Sequence, residues 1–253
     1  TSFEVDRSYR FRKGSGLPLR IPVVDLVEIG AGGGSIARID ALGTVRVGPD
    51  SAGSEPGPAC FGRGGTLPTV TDADLVVGKI DPARFAGGAV ALDESAAVAA
   101  ISSAIGTPLG LDAVAAAAAV GEMVDENMAN AAHIHATEKG KDIAGYTMVA
   151  FGGAAPLHAL RVAEKLGITR VIIPPNAGVG SAIGFLVAPV SYTTRRTHYM
   201  RLADLDPAIV RRTLEDMRAD AEAQVRSAAA HGALAEEWKT FMRYVGQGHD
   251  IAI

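Results

Sequence analysis

Hydrophobic and polar positions change rhythm several times along these 253 residues. Residues 1–20, TSFEVDRSYRFRKGSGLPLR, alternate in stretches such as FEVDRSYRF, the period of a half-buried strand, with no helix start signal. IPVVDLVEIG is a continuous apolar run of strand length, and SIARIDALGTVRVG divides into two short strands around Asp40 to Gly43. From Gly48 to Val70 glycine and proline recur so often that regular pairing is excluded; such long loops are functional or packed as a lid.

The rhythm then becomes helical. TVTDADLVVGKI predicts a short helix capped by Thr71 or Asp72, and DESAAVAAISSAIG a second, capped by Asp93 and stopped by Gly106. From about Leu111 to Lys139, Ala, Val, Met and Leu dominate without a proline until Gly140, which predicts a buried helix about 40 Å long. Its continuation ENMANAAHIHATEKGK is too polar for a membrane span.

After it the α/β alternation is clearest: YTMVAFGG as strand, APLHALRVAEKLG as helix, RVIIPP as strand and NAGVGSAIGFLVA as a glycine-containing helix. Both strands are apolar throughout, so the sheet is expected to be covered on both faces. SYTTRRTHYMRL predicts a more polar strand, DPAIVRRTLEDMRADAEAQVRSAAAHG an amphipathic surface helix, and WKTFMRYVGQGHDIAI the start of a new β section. No fixed-period repeat occurs. The shift to charged residues near Arg195 is the best boundary, giving segments 1–195 and 196–253.

Composition narrows the function classes. The chain is 48% hydrophobic and 21% charged, enough for a sizeable core. A net charge of −4 argues against nucleic acid or an anionic membrane as partner and leaves small molecules or proteins. The lone cysteine, Cys60, cannot form an internal disulfide, and no secretion signal is visible, so a cytoplasmic location is expected.

Glycine numbers 30 and concentrates at residues 30–65 and 152–184, a distribution that implies close backbone approaches. In IGAGGGSIA, Gly32, Gly33 and Gly34 lead to Ser35. Without Cβ atoms, successive backbone N–H groups can approach an anion and the hydroxyl can add a donor; a tight strand-to-strand turn is the alternative. No Walker A Lys-Ser/Thr pair and no Rossmann acidic residue accompanies it, which disfavours those nucleotide folds. FGGAAP places Gly152 and Gly153 at a strand end with Pro156 in the first turn of a helix, where ligands of open α/β sheets bind. PPNAGVGSAIG repeats the arrangement one strand later, with Gly178, Gly180 and Ser181 opening a helix. Two adjacent small-residue openings favour a nucleotide platform.

Four stretches carry a family resemblance: VDLVEIGAGGGSIARID, VGPDSAGSEPGPACFGRGGTLPTVTDADLVVGKI, VAFGGAAPLHALRVAEKLGITRVIIPPNAGVGSAIGFLVA and RYVGQGHDIAI. Together they resemble the hydantoinase A/5-oxoprolinase proteins, members of the actin-like ATPase (ribonuclease H-like) superfamily. The resemblance implies an α/β subdomain with a mixed sheet flanked by helices, a fragment of a larger protein. It also implies ATP and Mg²⁺ as cofactors, and phosphorylation of the carbonyl of a cyclic amide such as 5-oxoproline or a hydantoin to assist its hydrolysis. Acetone and acetophenone carboxylase subunits look similar and activate a ketone or bicarbonate instead.

By the same resemblance, Gly152, Gly153 and Ala154 lie against the nucleoside with Asn176, Gly178 and Gly180 nearby, while Gly32, Gly33, Gly34 and Ser35 approach the phosphates. The family motif has glycine where this chain has Ala155, a small departure. The family's N-terminal phosphate loop, its Asp-Gly-Gly-Thr segment and an extended C-terminal portion do not occur in this sequence, so an isolated chain is not expected to turn over ATP. A hydantoinase B-like subunit or fused domain and an oligomeric assembly are the implied partners.

Acidic and histidine residues divide between chemistry and structure. Asp25, Asp72 and Asp74 are each able to face Mg²⁺ or substrate, with helix capping for Asp72 and turn stabilisation for the others as the structural alternative; Asp25 is the favoured candidate. His133 and His135 stand two apart on a helix and cannot share one metal by i, i+4 spacing. His158 either borders the nucleotide or packs, packing being the more ordinary role. Cys60 has no adjacent basic partner and reads as a buried small side chain. Glu126, Asn127 and Asn130 form a polar cluster on an apolar helix, either a solvated face or a ribose or base contact; the resemblance favours a contact, and Asn127 is taken as its candidate. A nonenzymatic interaction module is the reading from a different class.

Overall fold

The computed structural model describes residues 26–248 and 250–252. The chain divides into two compact units, residues 1–183 and 184–253.

In the first unit, β1 (Ser35–Ile39) and β2 (Val45–Ser51) form the expected antiparallel hairpin, with Ile39 opposite Val45. Asp40 builds the turn: its carboxylate accepts from the backbone N–H of Leu42 and Thr44, from the Thr44 hydroxyl and from Arg46 Nε. Those bonds, the Thr44 backbone donor foremost, hold its pKa far below the usual carboxylate range. Asp25 and residues 1–20 lie outside the described residues. So does the first half of IPVVDLVEIG, and its described part, residues 26–30, is exposed and forms no strand.

The loop after β2 stays irregular apart from a 3₁₀ turn at Ala59–Phe61, and it leads into α1 (Val70–Val76). The cap of α1 is Thr69, not Thr71 or Asp72. Thr69 is extended and accepts from the Asp72 N–H, while the Asp72 carboxylate accepts from the Thr69 N–H, a reciprocal box that needs the acid three residues after the cap.

Asp93 caps α2 (Glu94–Ile101) as expected, through the Ala96 N–H. The expected stop at Gly106 does not occur. The helix continues through a π turn at Ser102–Gly106 into α3 (Thr107–Leu109) and ends at Gly110, with φ +66°. Gly106 keeps helical angles, and a Cβ there would lie 2.8 Å from the Leu111 carbonyl oxygen, so glycine admits the close approach rather than ending the helix.

α4 (Ala113–Glu138) is the long helix expected, capped by Asp112 and followed by Gly140 in the left-handed region. At 1.5 Å per residue it is about 39 Å long. Val120 and Val124 on its buried stripe meet Ala37, Val45 and Val47 of the hairpin, Val70 of α1, and Ile101 and Ile105, forming the main core.

β3 (Met148–Val149) and β4 (Val171–Ile172) are parallel, joined by α5 (Ala155–Lys165). One face packs Met148 and Val171 on Ala129 of α4 and Val162 and Ala163 of α5. The other leaves Val149 and Ile172 exposed, so the expectation of cover on both faces fails: apolar side chains in both directions do not by themselves bring a second layer. α/β character is present. The expected single mixed sheet is not: the described strands form three separate two-stranded sheets.

The unit boundary falls within α6 (Gly180–Val187). In the second unit SYTTRRTHYMRL forms no strand; these polar residues are largely exposed and have no ladder partner among the described residues. The surface helix is confirmed as α7 (Pro207–Ala228), capped by Asp206 and without a buried residue. The closing β section reduces to β5 (Phe241–Met242) paired with β6 (Ile251–Ala252). Among the described residues no single helix is long and apolar enough to cross a membrane.

Candidate functional site

The turn before β1 closes on itself. Ser35 N–H donates to the Gly32 carbonyl (3.0 Å), while Ser35 Oγ accepts from Gly32 N–H (3.0 Å) and donates to the Gly30 carbonyl (3.4 Å). The hydroxyl expected as a phosphate donor is therefore engaged within the turn and buried. Gly33 is tied to α1: its carbonyl accepts from both the Thr71 N–H (2.8 Å) and the Thr71 hydroxyl (2.9 Å). The Gly34 carbonyl accepts from Ala52 (2.9 Å). Gly32 is exposed and open, with nothing within 4 Å of where a Cβ would sit.

The strand ends converge beside this turn. A Cβ on Gly33 would lie 3.8 Å from that of Ala154, so IGAGGGSIA and FGGAAP, far apart in sequence, are neighbours. The Gly152 N–H donates to the Ala177 carbonyl (2.8 Å), joining FGGAAP to PPNAGVG. Gly152 has φ +109°, a conformation that favours glycine, and Asn176 has φ +57°. Gly153 and Gly178 face open space, while Gly180 lies against Phe151. No side chain caps α5, which begins at Ala155 with Pro156 in its first turn; the Leu157 N–H donates to the Ala154 carbonyl (3.0 Å). Phe151, Gly152 and residues 177–182 line a cleft of about 300 Å³.

Behind α5 lies a buried ionic cluster. His158 Nδ1 is 2.7 Å from Asp125 Oδ1 on α4, and Nε2 is 3.0 Å from Asp74 Oδ2 on α1. All three side chains are nearly inaccessible. Asp74 Oδ1 has no hydrogen-bond partner, but Lys79 Nζ lies 3.3 Å away as its ion-pair partner. Burial disfavours the imidazolium, but the hydrogen bonds and charges of Asp125 and Asp74 outweigh it and push the His158 pKa up to about 9. His158 also borders an apolar cavity of about 170 Å³ with Met128, Met148, Phe151 and Val162.

The other sequence candidates are scattered. Asp72 serves structure alone, accepting from Thr69 and from the Ala59 and Cys60 N–H groups. Asp74, read as a ligand or turn stabiliser, is the partner of His158. Cys60 is fully buried, and burial followed by the nearby Asp72 pushes its thiol pKa far above the ordinary range, which disfavours the thiolate. Asn127 and Asn130 are exposed and line neither cavity, and Glu126 pairs with Lys165 (2.6 Å). Among the described residues no group of three or more His, Cys, Asp or Glu is arranged to hold a metal.

Sequence reading missed Thr71 as the holder of Gly33 and Asp125 as a partner of His158. A signal for Asp125 exists: it follows Val120, Gly121 and Val124 on the buried stripe of α4, and a carboxylate there needs a partner.

The family model for hydantoinase/oxoprolinase matches residues 1–194. The caprolactamase subunit alpha of Pseudomonas jessenii is 34% identical over 258 residues, spanning 100% of this chain and 36% of the relative. The acetophenone carboxylase gamma subunit of Aromatoleum aromaticum is 38% identical over 209 residues, 79% of this chain and 28% of its own. In three dimensions the nucleotide-free structure of an acetone carboxylase that carboxylates acetone in an ATP-dependent manner superposes with a TM-score of 0.78 at 30% identity, covering 94% of this chain and 35% of that one. The crystal structure of the ATP-dependent caprolactamase from Pseudomonas jessenii gives 0.66 at 34% identity, covering 93% and 35%. The chain thus spans 36% or less of the length of these relatives.

Proposed function

The chain belongs to the hydantoinase/oxoprolinase family, and from that premise we propose that it supplies one wall of the ATP site of an ATP-dependent cyclic amidohydrolase with an actin-like fold. The observation that carries this reading is the convergence of three glycine-lined segments, at Gly32 and Gly33, at Gly152 and Gly153, and at Gly178 and Gly180.

The residues present fit a nucleotide. Open positions at Gly153 and Gly178 leave room for a flat group against the backbone, and the start of α5, which has no side-chain cap, favours nearby negative charge through the helix dipole. When bound, ATP would supply phosphorylation of the carbonyl oxygen of a cyclic amide, as in a hydantoin or 5-oxoproline, making that carbon electrophilic enough for water to add and the ring C–N bond to break, with the nitrogen leaving as the amine and the phosphate then released by hydrolysis. This chain's residues bind and orient: Gly152 to Ala154 and residues 176–180 hold the nucleoside, and the backbone at Gly32 and Gly33 faces the phosphates. Mg²⁺ is usually held by one or two carboxylates together with phosphates, and Asp25 is the candidate carboxylate. Substrate contacts and the facing wall come from a larger polypeptide and from a partner subunit, as the relatives named as subunits suggest.

The likeness to the acetophenone carboxylase gamma subunit, at 38% identity, and to the acetone carboxylase structure supports a second reading, an ATP-using carboxylase subunit. Calorimetry with ATP on the intact natural protein tests the site: Gly153→Val is expected to weaken binding more than about tenfold by filling the open position, and unchanged affinity would falsify the platform. Product analysis with cyclic amides, and with ketones plus bicarbonate, separates the chemistries. Ring-opened acid supports hydrolysis; carboxylated ketone without ring opening overturns it.

A further inference from the structure

We propose that His158 is a positioning residue, an imidazolium clamp that ties α1, α4 and α5 together and so sets the spacing between the Gly33 turn and the opening at Gly152 to Ala154. The inference rests on the nucleotide reading of that opening and concerns residues which that reading does not use.

The Gly33 carbonyl is held twice by Thr71, one turn before Asp74 on α1. Asp74 meets His158 Nε2 at 3.0 Å, and His158 lies in the first half of α5, whose cap residue is Ala154. Asp125 fixes the other ring nitrogen at 2.7 Å from α4. Gly33 and Ala154, the two ends of this path, are themselves neighbours, so a shift of α5 against α1 changes the gap between them.

Hydrogen-bond chemistry sets the charge of the ring. A neutral imidazole has one donor and one acceptor, and here both nitrogens face carboxylate oxygens, so only the imidazolium donates to both. The groups around it agree: Asp74 on α1, Asp125 on α4 and Lys79 after α1 complete two negative and two positive charges. Arg161 and Lys165 of α5 pair with Glu122 and Glu126 of α4 at exposed positions and do not reach the ring. A neutral ring turns one of its two contacts from attractive to repulsive and loosens the joint.

Nitrogen-15 NMR of histidine-labelled intact protein, read beside ATP affinity from pH 6.5 to 10, tests the clamp. Both ring nitrogens of His158 are expected to be protonated at pH 7.5, and ATP affinity to fall about tenfold in step with their titration. His158→Gln is expected to weaken ATP binding by a similar factor and to remove that pH dependence. A singly protonated ring at pH 7.5, or affinity that stays constant through its titration, overturns the clamp, and neither needs a variant that folds. ATP binding that responds to Gly153→Val but not to a folded His158→Gln overturns the clamp alone. No ATP binding by the wild type overturns the nucleotide reading and, with it, the clamp's purpose.

Discussion

Asp72 and Asp74 stand two residues apart on α1, yet their surroundings give them different work. Asp72 accepts from Thr69 N–H and hydroxyl and from the Ala59 and Cys60 N–H groups at 2.7–3.2 Å, pinning the start of the helix to the preceding loop. Asp72→Ala leaves these buried donors without an acceptor, and urea unfolding is expected to show a loss of roughly 3 kcal/mol; a loss below about 1 kcal/mol contradicts that role. Gly152 matters through its backbone: at φ +109°, Gly152→Ala is expected to cost roughly 1–2 kcal/mol in the same measurement and to displace the N–H that holds Ala177. Gly152 was legible directly from sequence, as one of the glycine pair in FGGAAP. Asp74 was visible only as an acid in a motif, because its partner His158 is 84 residues away and the pairing exists only once α1 and α5 pack.

At the scale of elements, local signals were legible in part. Asp93 reads from sequence as the cap of the helix that follows it, since a cap depends on its own few residues. Asp112 and Asp206 cap theirs without being singled out by the sequence reading, which places the cap of α1 two or three residues beyond Thr69. The π turn into α3 escaped because Gly106 is read as a stop unless the Leu111 carbonyl beside it is known. Gly106→Ala is accordingly expected to destabilise by roughly 1–3 kcal/mol through overpacking rather than to improve the helix, and a stabilised protein on thermal melting would contradict the packing account. The one-sided cover of β3 and β4 was equally hidden, as an apolar strand carries no record of what lies over it. Between α4 and α5, Arg161 and Lys165 converge on Glu122 and hold its carboxyl below the usual range, to about 2, but the group is half exposed. Glu122→Gln is therefore expected to change stability by less than about 1 kcal/mol, shrinking further in salt.

For the molecule as a whole, the buried cluster predicts how stability follows pH. His158 titrates near 9 in the folded state against 6.5 as its ordinary value, so its contribution is complete below about pH 6.5 and fades as pH rises through 9. Denaturant unfolding across that window should show a falling stability that His158→Gln flattens; equal slopes in both proteins would remove the imidazolium from the account. The convergence of Gly33, Ala154, Gly152 and Ala177 is likewise a property of the folded first unit; from sequence the openings at FGGAAP and PPNAGVG read as adjacent, and only the family resemblance brings IGAGGGSIA to the same site. Its meaning is tested most directly by determining the structure of the intact natural protein with a non-hydrolysable ATP analogue. The adenosine is expected within contact distance of Gly152, Gly153 and Ala177, with the phosphates toward Gly32 and Gly33. An analogue bound elsewhere, with this cleft left to solvent, would contradict it.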